Sequence, residues 1–246
     1  MQDLAGKVAF LTGAGRGVGV GIAMALAKAG ATIGLFGRTR ETLEHTAARI
    51  AELGGRSLVC VGDVSVRADV DRAVAEVQER LGPIWALVNN AYSAERTPVE
   101  DITDEILDGA LRACVHGTLY TMQACFPTMK ERGGRIINFG SGGATMGLPE
   151  LGAYNIAKEG VRGLTKTAAA GWGKYGITVN TICPLSASDA REVSMRPVFL
   201  RCSQSVRLLD CSHSLPPLEP RRCARWFVRD PCSTEMTSTP RHRIRS

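Results

Sequence analysis

Three residues near the middle of the chain have the types and the spacing of an acid–base site. Tyr154 and Lys158 are four residues apart in a stretch with helical apolar spacing from Leu151 onward, which predicts that both lie on one helix face. Ser141 stands thirteen residues before Tyr154, at the end of an apolar run, residues 135–139, that predicts a buried strand. An ammonium group one helical turn from a tyrosine stabilises the phenolate and lowers the pKa of the phenol. With a serine bonded to the same substrate oxygen, such a trio would polarise a carbonyl group and deliver a proton while another agent delivers a hydride.

The predicted elements around these residues decide whether this chemistry is plausible, because a short Tyr-x-x-x-Lys pattern is more often a surface pair. Five further apolar runs predict buried strands, at residues 7–11, 31–36, 57–61, 84–88 and 177–182. Helical composition predicts helices at residues 22–29, 41–53, 66–81, 101–132 (as two helices) and 151–172. This alternation indicates an α/β fold in which a parallel sheet carries helices on both faces and binds ligands beyond the carboxyl ends of its strands. Gly13, Asp63, Asn90 and Ser141 all fall at such ends, which favours a single site.

A glycine-rich turn joins the first predicted strand to the first predicted helix, where residues 12–19 read TGAGRGVG. Strand, glycine-rich turn and helix is the order of a dinucleotide site, because the glycines let backbone N–H groups approach a pyrophosphate at a helix N-terminus. A plain tight turn would give the same pattern, so the motif by itself leaves both interpretations open.

The end of the second predicted strand bears on which dinucleotide would bind. An enzyme that selects NAD usually has an acid here, which accepts hydrogen bonds from the ribose 2′-hydroxyl. Gly37 occupies that place and Arg38 follows it, while Arg16 in the glycine-rich turn can approach the same group. A 2′-phosphate would therefore meet two guanidinium groups rather than a carboxylate, so the sequence favours NADP over NAD.

Composition narrows the classes of protein to which the chain can belong. Its 246 residues are 44% hydrophobic, which is enough for one α/β domain with a sizeable core. No apolar run approaches the ~18 residues of a membrane span, and the first residues lack a signal-peptide pattern, so we expect a cytoplasmic protein without membrane attachment. The eight cysteines are then expected to be reduced thiols.

The net charge of +6 is confined to one end of the chain. Residues 191–246 contain eleven arginines, no lysine and five acids, whereas residues 1–190 contain 19 basic and 19 acidic residues. Because the body of the protein is neutral, we expect no nucleic acid binding by its folded part.

Several motifs, in this order and at these separations, resemble those of the short-chain dehydrogenase/reductase family. The turn at residues 12–19 is similar to the family's TGxxxGxG cofactor turn, Asp63-Val64 to its adenine contact, and NNAY at residues 89–92 to its NNAG motif. Ser141, Tyr154 and Lys158 are similar to its catalytic set. The resemblance runs from about residue 4 to residue 184.

The resemblance implies a Rossmann-like, doubly wound parallel sheet in a single domain and NAD(P)-dependent interconversion of a ketone and an alcohol. Tyr154 would be the general acid/base, Lys158 would lower its pKa and hold the nicotinamide ribose, and Ser141 would orient the substrate oxygen. The expected partner is a small carbonyl or alcohol compound, and no metal ion is expected. The cofactor would be lined by Gly13, Arg16, Gly17, Val18, Gly19, Arg38, Asp63, Val64, Asn90, Ala91, Tyr154 and Lys158.

Three residues depart from the family's pattern. Cys114 stands where the family has an asparagine that helps hold a water linking the lysine to solvent, and a thiol is a weak donor and acceptor. Tyr92 replaces the final glycine of NNAG, which narrows the space near the nicotinamide, and Leu185 replaces the glycine of a Pro-Gly pair. We expect a slower or differently routed proton relay, with the chemistry itself retained.

Residues 191–246 differ sharply in composition from residues 1–190, the predicted dinucleotide-binding domain. They hold no glycine but six of the eleven prolines and four of the eight cysteines, and we assign them no fold. A shifted reading frame near Ala190 is the favoured interpretation. The alternatives are a basic tail that binds an acidic surface, and a metal site on Cys202, Cys211, Cys223 and Cys232, which lack the close pairing of zinc ligands.

This tail also bears on assembly and on activity. Nothing in it is similar to the last helix and strand from which the family often builds homo-oligomers, so we expect a sheet without its usual last strand and impaired oligomerisation. Two functions are then left open. The leading one is an NADP-linked carbonyl reductase or alcohol dehydrogenase, and the rival is a protein that binds the cofactor without turnover, either a nucleotide sensor or the failed product of a shifted frame.

Overall fold

The computed structural model describes residues 4–93 and 95–184, which form one six-stranded sheet with helices on both faces. All of the described strand pairs are parallel. The strands are β1 (Val8–Thr12), β2 (Thr32–Gly37), β3 (Ser57–Val61), β4 (Ile84–Asn89), β5 (Gly134–Phe139) and β6 (Ile177–Ile182). They confirm the six predicted strands to within one residue at each end.

Seven α-helices accompany these strands within the described residues. They are α1 (Val18–Lys28), α2 (Arg40–Glu52), α3 (Arg67–Leu81), α4 (Asp104–Leu111), α5 (Gly117–Arg132), α6 (Gly142–Met146) and α7 (Gly152–Trp172). A π-helical turn, Arg112–His116, joins α4 directly to α5. The two helices predicted within residues 101–132 are confirmed, whereas this turn and the short helix α6 have no counterpart in the sequence prediction.

Two hydrophobic cores lie on opposite faces of the sheet. Val70 of α3, Met122 of α5 and Ala168 of α7 pack against one face. Ala23 of α1 and Leu43 of α2 pack against the other. The strands contribute side chains to both cores, which explains why their sequences read as nearly continuous apolar runs rather than as alternating ones. This arrangement is the doubly wound sheet that the alternation of elements predicts.

The strand order, β3-β2-β1-β4-β5-β6, places β1 beside β4 at the centre of the sheet. The chain runs outward from β1 through β2 to β3 and then crosses back to β4, so the connections after β1 and β4 diverge there. Such a reversal opens a crevice at the carboxyl edge of the sheet, where open α/β folds bind ligands. The predicted site residues Gly13, Asp63, Asn90 and Ser141 lie at this edge, each just after the end of its strand.

Several sequence predictions fall outside the described residues. The family's last strand and Leu185 belong to this group, as do the composition break near Ala190 and the four cysteines beyond residue 200. Within the described residues the cysteines, Cys60, Cys114, Cys125 and Cys183, are free thiols. In the same part of the chain, no helix is long and apolar enough to cross a membrane, and no cluster of three or more metal-ligating side chains occurs.

Candidate active site

The glycine-rich turn after β1 is shaped for close approach of backbone to a ligand. Gly13 has a φ of +66°, and a Cβ at this position would lie 2.8 Å from Asn90 Nδ2 and 2.9 Å from Ala91 Cα. A Cβ at Gly19 would overlap the carbonyl oxygen of Gly13. Only glycine fits either place, so the turn lies directly against the start of α1 and the segment after β4.

The N-terminus of α1 is open to an anion. Gly17 caps this helix with a φ of +55°, no side chain bonds the first backbone N–H groups, and the first turn contains no acid. A Cβ built on Gly17 meets nothing within 4 Å, so the backbone faces free space. Val18 is also exposed at the surface of this turn. Free N–H groups, the helix dipole and empty space together fit a pyrophosphate group.

Asn90 and Ala91 are fixed against the same turn. Asn90 Nδ2 donates to the carbonyl oxygens of Thr12 and Gly13, both at 3.1 Å. The Thr12 hydroxyl accepts from the backbone N–H of Asn90 at 3.1 Å and of Ala91 at 3.0 Å, and it donates to Val88 O at 3.4 Å. Thr12 thus braces β1 against β4, a role not predicted from the sequence although a hydroxyl at the end of an otherwise apolar strand is a readable signal.

Arg38 and Asp63 meet at the ends of β2 and β3. The Arg38 guanidinium is 60% exposed and lies 4.0 Å from Asp63 Oδ2. Asp63 Oδ1 accepts from both the backbone N–H and the hydroxyl of Ser65, each at 2.8 Å, which fixes the carboxylate. The exposed Arg38 side chain can therefore turn toward a ligand, and its contact with Asp63 keeps the guanidinium near the site. Arg16 is exposed on the glycine-rich turn and forms no ion pair within the described part of the chain.

Val64 follows Asp63 and lies against the start of α5. A Cβ added to Gly117 would stand 2.9 Å from Val64 Cβ and 3.2 Å from Val64 O. Gly117 therefore lets the loop after β3 pass close beneath α5, a packing requirement that the sequence pattern did not reveal.

Ser141, Tyr154 and Lys158 converge beyond β5. Ser141 is buried, and its hydroxyl group is close enough to the Tyr154 phenol to oppose the rise in its pKa. Lys158 Nζ lies 5.7 Å from the centroid of the Tyr154 ring and donates to Phe139 O at 2.8 Å. The last residue of β5 thereby orients the lysine, and α7 carries tyrosine and lysine on one face.

Ser141 has a second partner that explains the short helix α6. Its hydroxyl accepts from Ala144 N–H at 3.3 Å, so Ser141 is the N-cap of α6. The backbone after β5 therefore turns at this serine, which fixes the position of its hydroxyl group beside Tyr154.

Burial perturbs both titratable groups of this trio. It raises the pKa of the Tyr154 phenol, and the hydrogen bond with Ser141 opposes that shift. It lowers the pKa of the Lys158 amine, with the Cys114 and Cys183 thiols opposing. The direction for Tyr154 is opposite to the lowering that the sequence predicts. The physical reason is that removing a phenolate from water outweighs the groups that stabilise it here.

Cys114 lies in the π-helical turn between α4 and α5. Its thiol is buried, which raises its pKa; the charge of Lys158 and a hydrogen bond from the Ser93 backbone N–H oppose the shift. A π-helical turn inside an α-helix often occurs at a functional site, since it redirects side chains and backbone groups. Here it brings the Cys114 thiol into the surroundings of Lys158.

A buried polar chain ties together the elements that carry the site. Asn89 Nδ2 of β4 donates to Asn138 Oδ1 of β5 at 2.9 Å, and Asn138 Nδ2 donates to Thr165 Oγ1 of α7 at 2.9 Å. The Thr121 hydroxyl of α5 donates to Asn89 Oδ1 at 2.6 Å. Fully paired buried groups of this kind rigidify their surroundings. The sequence analysis missed them, although two asparagines inside apolar strands were a readable signal.

Comparison with known proteins agrees with this fold. The profile of the short chain dehydrogenase family matches residues 7–192. A 12alpha-hydroxysteroid dehydrogenase from Clostridium sp. is 39% identical over 195 residues, which cover 76% of this chain and 75% of the relative. A sorbitol dehydrogenase from Cereibacter sphaeroides is 38% identical over 183 residues, 74% of this chain and 70% of the relative.

Solved structures give the same result. An NAD⁺-bound xylitol dehydrogenase superposes with a TM-score of 0.72 at 34% identity, covering 74% of this chain and 71% of that one. A citronellol catabolism dehydrogenase from Pseudomonas aeruginosa PAO1 superposes with a TM-score of 0.71 at 33% identity, covering 75% of this chain and 76% of that one. The chain belongs to the short-chain dehydrogenase family. It is an oxidoreductase of the alcohol and ketone type with a Rossmann-like fold and a nicotinamide dinucleotide as cofactor.

Proposed function

We propose that this protein interconverts a ketone and an alcohol, with Tyr154 as general acid/base and NADP as the preferred cofactor. The observation that carries the proposal is the convergence of Ser141, Tyr154 and Lys158 at the edge of the sheet where the glycine-rich turn also lies. In the reducing direction Tyr154 donates a proton to the substrate oxygen, and Ser141 hydrogen-bonds the same oxygen. The Lys158 ammonium stabilises the phenolate that is left.

The residues at this edge fit a dinucleotide. Gly13, Gly17, Val18 and Gly19 would hold the pyrophosphate on backbone N–H groups, for which the turn is open and free of acids. Asp63 and Val64 would bind the adenine, Asn90 and Ala91 the segment between the phosphates and the nicotinamide, and Lys158 and Tyr154 the nicotinamide ribose. When bound, the nicotinamide gives or takes the hydride, and the protein supplies position and charge.

The preference for NADP rests on charge at the end of β2. Gly37 brings no carboxylate, and Arg38 presents an exposed guanidinium that one acid holds nearby. Arg16 is exposed on the glycine-rich turn and adds a second positive charge on this side of the site. A 2′-phosphate gains charge-assisted hydrogen bonds from such groups, whereas a 2′-hydroxyl lacks the carboxylate that an acid at position 37 would offer.

Two substitutions test this preference. Arg38→Gln should weaken NADP binding by roughly 10- to 100-fold and leave NAD binding nearly unchanged, because only the phosphate loses a charged partner. Gly37→Asp should strengthen NAD relative to NADP. Its Cβ would lie 3.4 Å from Leu43 Cδ2, an ordinary contact, so the carboxylate can be accommodated. Fluorescence titration with NADPH and NADH measures both effects.

Arg56→Gln is the matched control, because it removes the same charge from an exposed residue just before β3, at the opposite edge of the sheet. Equal losses of NADPH affinity in the two arginine variants would mean that overall charge, and not the position of Arg38, selects the cofactor.

The composition break beyond residue 190 favours a second candidate, a protein that binds the cofactor without turnover. Mixing the purified protein with NADPH and a panel of cyclic and acyclic ketones separates the two. Oxidation of NADPH that depends on both ketone and protein supports the enzyme. A change in NADPH fluorescence with no turnover on any ketone supports the second candidate. The panel also identifies the substrate, since the relatives act on compounds as different as hydroxysteroids and sorbitol.

A further inference from the structure

Tyr92 places an aromatic ring beside the candidate catalytic residues. It stands three residues after the end of β4, and 59% of its surface is exposed. Its ring meets that of Tyr154 edge to face, with the centroids 5.9 Å apart and the planes inclined by 65°. The family's pattern has glycine here, so this ring is a feature of this chain.

The same ring faces the lysine of the trio. Lys158 Nζ lies 5.3 Å from the centroid of Tyr92 and 5.7 Å from that of Tyr154, so the amine and the two ring centroids form a nearly equilateral triangle. A cation within ~6 Å of a ring centroid is attracted by the negative face of the ring, and more strongly where water is excluded. Lys158 is only 3% exposed, so water is excluded here.

The remaining surroundings of Lys158 do little to stabilise a positive charge. Its hydrogen-bond acceptor is Phe139 O at 2.8 Å, and within the described residues it has no ion pair with a carboxylate. The titratable groups that face it are Cys114 from the π-helical turn, Cys183 after β6, and the two tyrosines. Besides the carbonyl oxygen of Phe139, the faces of the two aromatic rings are therefore the groups that favour the ammonium form.

We propose that Tyr92 is a positioning residue for the reaction: its ring, together with that of Tyr154, holds the Lys158 ammonium beside the catalytic phenol. The inference rests on the proposed function, because a charge next to Tyr154 matters only if Tyr154 ionises in the reaction. It also links two departures from the family's pattern, Tyr92 and Cys114, which both lie next to Lys158. A thiol is a poor member of a hydrogen-bonded relay, whereas a ring face stabilises an ammonium without donating or accepting a proton.

The proposal predicts a specific pH effect. Without the ring, the Lys158 ammonium is held less firmly beside the Tyr154 phenolate, so it stabilises the phenolate less and the phenol ionises at higher pH. Alcohol oxidation, which needs the phenolate, should then fall by roughly 3- to 30-fold at neutral pH and recover as the pH is raised. If the Tyr92 ring only shaped the substrate-binding space, its removal would instead change KM by the same factor at every pH.

The experiment compares Tyr92→Phe with Tyr92→Leu. Both lose the hydroxyl group, and only the second loses the ring; since the side chain is largely exposed, both variants should fold. With a secondary alcohol that the wild type oxidises, we expect Tyr92→Phe to keep the wild-type pH profile of kcat/KM and Tyr92→Leu to shift it to higher pH. Identical profiles in the two variants would overturn the proposal.

A second measurement needs no turnover. The chain has four tyrosines, so the phenolate absorbance of each Tyr92 variant minus that of the same variant carrying Tyr154→Phe isolates the ionisation of Tyr154. The midpoint should be higher in Tyr92→Leu than in Tyr92→Phe, and equal midpoints would overturn the proposal. If the midpoints differ while no ketone or alcohol is turned over, the role of Tyr92 stands and the proposed enzyme activity fails.

Discussion

In the proposed reaction only the hydroxyl group of Tyr154 transfers a proton. The ring of Tyr154 makes separate contacts with Tyr92 and Lys158. Tyr154→Phe should therefore keep those contacts and cofactor binding while lowering kcat by roughly 10²–10⁴-fold, the usual contribution of a general acid/base. Turnover and NADPH titration measure the two effects. Tyr175→Phe, in the turn after α7, is the control and should match the wild type. Residual turnover of Tyr154→Phe near the wild-type rate would exclude the proposed role.

The raised pKa of Tyr154 sets the pH dependence of the two directions. Ketone reduction needs the protonated phenol, which a raised pKa preserves through the neutral range and which is lost as the pH rises through that pKa. Alcohol oxidation needs the phenolate, so its rate should rise over the same interval. Rates measured in both directions from about pH 8 to about pH 11, a range that extends past the ordinary tyrosine pKa, should therefore change in opposite directions. Parallel profiles would mean that another group titrates.

Lys158 is buried for function at a cost in stability. Burial lowers the pKa of its amine below the unfolded value, so the charged form opposes folding and stability is lost as the pH falls through the folded-state pKa. Lys158→Met keeps a long apolar stem, and we expect it to abolish turnover while stabilising the fold by about 0.5–2 kcal/mol. Denaturant unfolding measures this, with Lys166→Met on the exposed side of α7 as control. A clear loss of stability only in Lys158→Met would show that the bond to Phe139 O outweighs the cost of burial.

The residue types of the trio could be read from the sequence because each stands at a locally marked place, a strand end or one helix face. The partners that tune them could not. Phe139 O, which binds Lys158, is a backbone group without a sequence signal. The upward pKa shift of Tyr154 depends first on burial and then on the electrostatic influence of residues far apart in the chain, among them Tyr92 and Cys183. Sequence spacing predicts which side chains lie close together, but it does not predict how far the fold shields them from solvent.

Among the strands and helices, too, some could be predicted from the sequence and others could not. Apolar runs predicted all six strands, since buried parallel strands need little beyond apolar, β-branched residues. The π-helical turn Arg112–His116 escaped prediction because nothing in its local sequence marks the extra residue, which is accommodated by packing against α7. The short helix α6 escaped as well, since its glycine-rich sequence favours a loop until the Ser141 cap fixes it.

Gly117 shows how packing between elements constrains a helix. Gly117→Ala should destabilise the protein by about 1–3 kcal/mol, because the added methyl group overlaps Val64 and must push the loop after β3 away from α5. Gly163→Ala is the matched control: this exposed glycine inside α7 has nothing within 4 Å of an added Cβ, so alanine should stabilise by about 0.4–1 kcal/mol. Thermal and denaturant unfolding measure both changes. The same sign for the two variants would contradict this account of Gly117.

At the scale of the whole molecule, the fold and the site contacts described above lie within residues 4–184, and the family profile matches residues 7–192. Two of the relatives align over 70–75% of their own length. We propose that residues 1–190 are the dinucleotide-binding domain and that the reading frame shifts near Ala190. Reading the coding DNA around that codon in all three frames tests this, since a second frame should restore similarity to the relatives' last quarter.

Ending the chain after Ala190 tests whether residues 1–190, which are neutral overall, fold and bind the cofactor without the basic residues 191–246. If the domain is complete to that point, the shortened protein should bind NADPH with the affinity of the full chain, because the glycine-rich turn, Arg38, Asp63 and Asn90 are all retained. It should also unfold cooperatively within a few degrees of the full chain, since both hydrophobic cores are built from residues before 184. β6 pairs only with β5 among the described residues, and an unpaired strand edge promotes association, so we expect both proteins to aggregate as concentration rises. Loss of NADPH binding or of a cooperative transition in the shortened protein alone would mean that residues 191–246 belong to the fold.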